Sequence, residues 1–197
     1  MNNVKSVLRH YYINKRLFLS EYERSLKSKI INKKIILFLK KIKITGIATF
    51  FAIKGEPDLS GLSYYLIKNK IDVFFPRVKG KTMSWVKFNG YENGELNRFG
   101  IWEPKGTEVN RDSFNVMLIP AVSYDIFGNR LGFGGGYYDR NCIGFNGVKI
   151  GVCFDELIHK KLPFERHDIK VDYVFTEKRN LMVNENMFSV ANVMKRR

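Results

Sequence analysis

Val116-Met117-Leu118-Ile119-Pro120-Ala121-Val122-Ser123-Tyr124-Asp125-Ile126-Phe127-Gly128-Asn129-Arg130-Leu131-Gly132-Phe133-Gly134-Gly135-Gly136-Tyr137-Tyr138-Asp139-Arg140 is the stretch whose reading decides the fold. Its first five residues form an unbroken apolar run, the pattern of a strand buried on both faces. A loop over 121–128 follows, then four glycines within five positions, then residues that can open a helix. Strand, loop, glycine run and helix in that order describe one unit of an open α/β sheet, with its ligand site at the carboxyl end of the strand. Glycine takes positive φ without steric cost and lets a ligand come close to the backbone. Backbone N–H groups exposed in this way, leading into a helix, receive anionic oxygens. Arg130 and Arg140 bracket the run and can add charge and paired donors. Asp139 is the hard oxygen ligand that a nucleotide's Mg²⁺ takes. The residues alone read as a phosphate cradle with a metal carboxylate at its edge.

Two familiar cradles do not fit. A P-loop closes its glycine run with Lys-Ser or Lys-Thr, and Tyr137-Tyr138 stands there instead. The dinucleotide fingerprint places its last glycine where this chain has Tyr137. A plain glycine-rich surface turn is the remaining alternative; triple glycine, paired tyrosines, an aspartate and bracketing arginines together argue against it.

On the amino-terminal side, Asn3 can cap a first helix whose apolar stripe is expected at Val4, Val7, Leu8 and Tyr11. Lys5 and Arg9 share one helical face about one turn apart. By themselves they read first as a solvated basic face and only second as a grip on adjacent phosphates. Ser20-Glu21-Tyr22-Glu23 is a capping box opening a helix to about Lys41, with Tyr22, Leu26, Ile30, Ile31, Ile35, Phe38 and Leu39 as its expected buried side. Ile44 to Ala52 reads as a central strand, and Asp58 can cap a helix from Leu59 to Lys70. Ile71 to Arg77 is the next strand, halted at Pro76, so a parallel, right-handed β-α-β crossover is expected. Thr82 to Phe88 alternates like an exposed hairpin strand, with Tyr91 to Asn97 as a polar excursion. Lys149 to Phe154 is a further buried strand holding Cys153 as a small apolar residue.

A chain of 197 residues can bury a sizeable core, and one domain over 1–197 is expected. Cys142 and Cys153 are too few for a disulfide framework or a Cys-rich zinc site. No apolar run reaches membrane-spanning length and Met1-Asn2-Asn3-Val4-Lys5 is not the start of a secretory signal, so a cytoplasmic, reduced protein is expected. The net charge of +15 admits a nucleic-acid partner, a field that draws in anionic small molecules, or a compositional bias, and charge alone does not separate these.

Ile119-Pro120-Ala121-Val122-Ser123-Tyr124-Asp125, with Gly128 to Arg140 behind it, resembles the signature of the 5-formyltetrahydrofolate cyclo-ligase family. Three further landmarks are similar: Lys5-Ser6-Val7-Leu8-Arg9; Gly100-Ile101-Trp102-Glu103-Pro104 behind Phe99; and Leu162 to Val174, with its His167-Asp168. The resemblance implies ATP-dependent cyclisation of 5-formyltetrahydrofolate to 5,10-methenyltetrahydrofolate, with release of ADP and phosphate. It also implies a three-layer αβα domain with a mainly parallel, Rossmann-like sheet. ATP would lie on Lys5, Ser6, Val7, Leu8, Arg9, Arg130, Leu131, Gly132, Phe133, Gly134, Gly135, Gly136, Tyr137 and Tyr138. Arg130, Lys5 and Arg9 would carry catalysis, and Asp139 with Asp168 would hold Mg²⁺. The folate would meet Phe51, Glu56 and the segment from Phe133 through Gly134, Gly135 and Gly136 to Tyr137.

Glu56 can accept from the donor edge of the pterin, whereas Phe51 reads equally as core aromatic or ligand wall. Trp102 divides evenly in the same way, Arg77 is a weaker candidate, and a lone His167 reads as structural. Leu59 stands where the family motif continues with threonine, and Gly135 where some members have lysine. ATP and 5-formyltetrahydrofolate are the expected partners of a monomer, without nucleic acid or membrane. Two alternatives stand beside this: a basic nucleic-acid-binding protein, which would bind with steep salt dependence, and a nucleotide-binding module without turnover.

Overall fold

The computed structural model describes residues 2–97 and 100–183. Phe99 and the tail Lys195-Arg196-Arg197 lie outside them. The helices are α1 (Asn2–Leu17), α2 (Glu21–Leu39), α3 (Ser60–Lys68) and the short α4 (Tyr137–Asn141). The first strands are β1 (Ile47–Ala48), β2 (Val73–Lys79), β3 (Thr82–Lys87), β4 (Gly94–Leu96), β5 (Trp102–Pro104) and β6 (Glu108–Val109). Then come β7 (Val116–Pro120), β8 (Ser123–Asp125), β9 (Arg130–Leu131), β10 (Val148–Val152), β11 (Ile158–His159), β12 (Tyr173–Phe175) and β13 (Asn180–Met182).

The main sheet runs β13-β12-β10-β7-β1-β2-β3-β6. Its centre is parallel, from β12 through β10, β7 and β1 to β2, and its edges are antiparallel. The expected α/β class with a mainly parallel sheet is what the chain adopts. β7 is the hub: its residues from Val116 to Ile119 are fully buried between β1 and β10, as an unbroken apolar run requires. The crossover β1-α3-β2 is parallel. Gly151 on β10 lets the Tyr124 ring lie against the strand, where a Cβ would meet that ring at 2.6 Å.

Several local expectations give way to tertiary packing. β2 does not stop at Pro76 but continues to Lys79, with Pro76 opposite Trp85. The β1 ladder ends at Phe74, so the ring of Pro76 falls where no neighbouring strand needs its missing N–H. Only Ile47–Ala48 of the long expected strand is paired. β3 buries Met83, Trp85 and Val86 rather than standing exposed. The polar excursion after residue 90 forms the β4–β5 hairpin, and the loop after β7 contains the β8–β9 hairpin, joined by β11 in a small second sheet. Asp58 accepts from the Ser60 N–H at 2.9 Å, but the cap position of α3 falls to Leu59, whose side chain makes no cap bond, and the helix runs only from Ser60 to Lys68.

The capping box of α2 forms, Ser20 and Glu23 each satisfying the other's backbone. The helix buries Ser28, Ile31, Ile35 and Leu39, which leaves Tyr22, Leu26 and Ile30 exposed. α2 packs against α3 and β12, and α3 against β2. α1 is placed differently. Asn3 lies inside it rather than capping it, and Val4, Val7 and Tyr11 face solvent. Its inner face holds Lys5, Leu8, Arg9, Tyr12, Ile13 and Arg16, and it meets the turn at Asp155–Leu157 that follows β10. α1 therefore crosses the carboxyl ends of the central strands rather than joining a helical layer.

Candidate active site

The glycine run sits at the carboxyl end of β7, reached through the β8–β9 hairpin. Asp125 builds that hairpin: its buried carboxylate accepts from the N–H groups of Phe127, Asn129 and Leu162 and from the Asn129 amide. Beyond Leu131 the chain opens. Gly134 and Gly136 take φ of 102° and 65°, values that side chains disfavour, and Phe133, Gly134 and Gly135 are exposed. Among the described residues the N–H groups of Phe133, Gly134, Gly135 and Gly136 have no acceptor. The loop is braced from outside. Tyr137 donates to the Gly80 carbonyl and Arg140 to the carbonyls of Lys81 and Gly135. Arg140 is thus a brace rather than a phosphate ligand in this arrangement. A Cβ at Gly135 would meet the Tyr137 ring at 2.8 Å, so a lysine there requires that ring elsewhere.

Two arginines reach the run, and a lysine on the same helix as one of them binds the neighbouring 165–168 loop. Arg130, 9 % exposed, donates to the Pro120 carbonyl at 3.1 Å and to Asp139 at 3.0 Å, and lies over the Tyr138 ring. Burial works against its charge, but its surroundings, Asp139 first among them, leave its pKa raised. Arg9 donates to the Gly132 carbonyl at 2.8 Å, and its guanidinium carbon is 3.5 Å from where a Gly134 Cβ would sit. Lys5, at the start of the same helical face, binds Asp168 at 2.6 Å and Glu165 at 3.1 Å. Burial lowers its pKa, but those two carboxylates raise it further, so it stands above its ordinary 10.5. Leu8 packs against the core, whereas Ser6 and Val7 face solvent, so this segment offers its inner face and not all its residues.

The two candidate metal residues lie on adjoining segments, since Asp139 also accepts from the Ile169 N–H, next to Asp168. No group of three or more acidic, His or Cys side chains suited to a metal occurs among the described residues. Asp139 and Asp168 are paired with Arg130 and Lys5. That donor set fits Mg²⁺ arriving with phosphate oxygens as its other ligands, and does not fit an all-protein cage.

Glu56 lies 5 % exposed in the loop after β1. One carboxylate oxygen accepts from the Ile53 N–H; the other is 3.8 Å from Arg16 Nη1 and has no hydrogen-bond partner among the described residues. Burial pushes its carboxyl up to about 7, with Arg16 pulling the other way. Burial and Glu56 together raise the Tyr138 phenol, which joins Glu56 to the Arg130 side of the site. Phe51 stacks on buried Phe75, centroids 3.9 Å apart, with Trp102 edge-on at 4.7 Å, so both are parts of one aromatic cluster. Arg77 is engaged by Glu108 and the Gly106 carbonyl, and exposed His167 pairs with Glu165. Neither contacts the glycine run. Cys142 and Cys153 are buried free thiols, the former pushed up to about 12 by burial.

Sequence reading missed Arg16, the most deeply buried cation of the site, and Glu165, the second partner of Lys5. Arg16 had a signal: positions 5, 9, 12 and 16 fall on one helical face, so it continues the Lys5–Arg9 line.

Fold and site together define an α/β protein of the open-sheet kind, with a cation-flanked glycine loop at the carboxyl ends of its central strands, where such sheets bind ligands. The sequence profile of the 5-formyltetrahydrofolate cyclo-ligase family matches residues 1–177. The 5-formyltetrahydrofolate cyclo-ligase of Mus musculus is 26% identical over 193 residues, spanning 90% of this chain and 95% of its own. That of Escherichia coli is 32% identical over 139 residues, 66% of this chain and 76% of its own. The solved 5,10-methenyltetrahydrofolate synthetase of Aquifex aeolicus superposes with a TM-score of 0.82 at 34% identity, over 92% of this chain and 94% of that one. The chain belongs to the 5-formyltetrahydrofolate cyclo-ligase family. Its activity is accordingly that of a ligase, the ATP-dependent cyclisation of 5-formyltetrahydrofolate, and the nucleic-acid alternative is not favoured. No helix of the described residues is long and apolar enough to cross a membrane.

Proposed function

We propose that the triphosphate of ATP lies on the N–H groups from Phe133 to Gly136, flanked by Arg130, Arg9 and Lys5, with the folate between that segment and Glu56. The observation that carries this reading is the row of unpartnered N–H groups in a left-handed glycine loop, with Arg9 and Arg130 at its edge. The formyl oxygen of the folate attacks the γ-phosphorus, the bond to ADP breaks, and the formyl carbon becomes an activated imidate phosphate. The neighbouring secondary amine then bonds to that carbon, its proton leaves with the phosphate, and the methenyl bridge remains.

Such a reaction asks for in-line placement and fixed cations at developing negative charge rather than a protein nucleophile. Arg130 suits that task because its guanidinium is buried, charged and held at two points before any ligand arrives. Phe133 projects from the loop over Arg16 and Lys54, on the Glu56 side, which supports contact with both substrates. Asp139 and Asp168 would hold Mg²⁺, which supplies neutralisation of phosphate charge when bound. Incubation with ATP, Mg²⁺ and 5-formyltetrahydrofolate, read at the methenyl chromophore, tests the scheme. Turnover that survives loss of both Arg130 and Arg9 would overturn the assignment.

A further inference from the structure

We infer that Arg16 is a positioning residue, which fixes the Glu56 carboxylate for the folate and ties that end of the site to the helix that grips the nucleotide. The inference rests on the reading that Glu56 meets the folate, and adds a residue that nothing above assigned to the reaction.

Arg16 is fully buried near the end of α1, a place where a cation is costly unless its surroundings require it. Its Nε donates to the Lys54 carbonyl at 2.9 Å, two residues before Glu56. Its Nη1 donates to the Ala121 carbonyl at 3.1 Å, just past β7, and lies 3.8 Å from the Glu56 carboxylate. Its guanidinium also lies 5.5 Å from the centre of the Phe133 ring in the glycine loop. One side chain therefore touches the Glu56 loop, the end of the hub strand and the phosphate loop. The two nearer contacts are to carbonyls, so the fork cannot swing away without stranding the buried Ala121 acceptor.

The pair is also incomplete as it stands. Arg16 Nη2 is a buried donor without a partner among the described residues, and a Glu56 oxygen is a buried acceptor in the same condition. A purely structural ion pair closes on itself. This one leaves a donor and an acceptor, which a heterocycle offering adjacent N–H and carbonyl groups satisfies. The charged and titratable groups facing Glu56 are Arg16 from α1, Lys54 from its own loop, Arg130 from β9 and Tyr138 from α4. Arg16 comes first among the cations that hold the carboxyl down against burial.

Arg16→Met, Arg16→Lys and Glu56→Gln, with the Arg16→Met/Glu56→Gln pair, provide the test. The KM for 5-formyltetrahydrofolate and the KM for ATP are each measured against pH. Arg16→Met is expected to raise the folate KM by at least about tenfold near neutral pH and the ATP KM by less than about twofold. The pH below which folate binding weakens is expected to move up by about one unit, because an opposite charge has left the carboxylate. The double variant is expected to be no worse than Glu56→Gln alone. Should Arg16→Met fail to fold, Arg16→Lys carries the test, keeping the charge while losing the fork: a raised folate KM with the pH limb unmoved is expected. Equal rises in both KM values, or an unmoved limb in Arg16→Met, would reduce Arg16 to packing and overturn the inference while leaving Glu56 in place. A normal folate KM in Glu56→Gln would instead remove Glu56 from the folate site and the inference with it.

Discussion

Replacing Glu56 by Gln tests whether burial governs the charge of the carboxyl proposed to meet the folate. In the unfolded chain this carboxyl titrates near its ordinary 4.5; in the folded protein burial pushes it up to about 7, with Arg16 offsetting part of that. Between those values the folded protein holds a proton that the unfolded chain has lost, so this group's contribution to stability falls as pH rises. Below about pH 4.5 both states are protonated and the effect is absent; above about pH 7 it is complete. The separation from 4.5 to about 7 corresponds to roughly 3 kcal/mol. Glutamine cannot ionise, and the window disappears with it. The attraction of Arg16 for the carboxylate is already contained in that folded-state value, so the slope with pH is the readout. Urea unfolding of both proteins should show the stability of Glu56→Gln relative to wild type climbing by roughly 3 kcal/mol between about pH 4.5 and about pH 8. For a chain of this size the same change moves Tm by about 6–12 °C. A difference that stays flat with pH would mean that the carboxyl is not desolvated as the structure has it, and would refute the reasoning.

Arg130→Ala is expected to lower turnover by at least about a hundredfold, the scale of losing one preorganised donor at developing charge, and near-normal kcat would remove Arg130 from the mechanism. Gly134→Ala forces a Cβ into φ of 102° beside Arg9, so ATP affinity measured by calorimetry should weaken by at least about tenfold; unchanged affinity would contradict a backbone cradle. Ser20→Ala removes one half of the α2 capping box and should cost about 1 kcal/mol in urea unfolding with kcat unaltered, whereas no loss would mean that packing alone fixes that terminus.

What could be read ahead of the structure follows from how local each signal is. The Val116–Pro120 run and the glycine loop behind it carry their own geometry, so hub strand and open glycine loop were legible together. Lys5 and Arg9 were legible as a pair, but their place was not: the stripe Val4, Val7 and Tyr11 suggested the opposite face of α1. The helix turns its cationic face inward because carboxylates and carbonyls from three distant segments wait there, at Glu165 with Asp168, at Gly132 and at Lys54. Periodicity counts apolar residues and is blind to a core face that is charged. Pro76 misled for a related reason, since the end of β1, and not the residue itself, decides whether its missing N–H matters.

The ion pairs of the site lead to one last expectation, concerning Asp139. As it stands, the carboxylate of Asp139 occupies Arg130, and that of Asp168 occupies Lys5. A nucleotide without a divalent ion must compete with those carboxylates for their cations and meet their negative charge as well. With the carboxylates shared with Mg²⁺, as proposed, the same competition would be relieved and Arg130 would be free to turn to phosphate. Asp139→Asn therefore acts in opposite directions under two conditions. With the metal chelated, the variant should bind ATP about tenfold more tightly than wild type, because a charge near the phosphates is gone and Arg130 is free. With Mg²⁺ present, it should require a sharply higher metal concentration for half-maximal turnover, because a hard ligand has been lost. Isothermal titration with and without chelator, and a metal titration of initial rate, give both numbers. Weaker ATP binding in both conditions would mean that Asp139 shapes the loop rather than trading its partner, and an unchanged metal titration would remove it from the Mg²⁺ site.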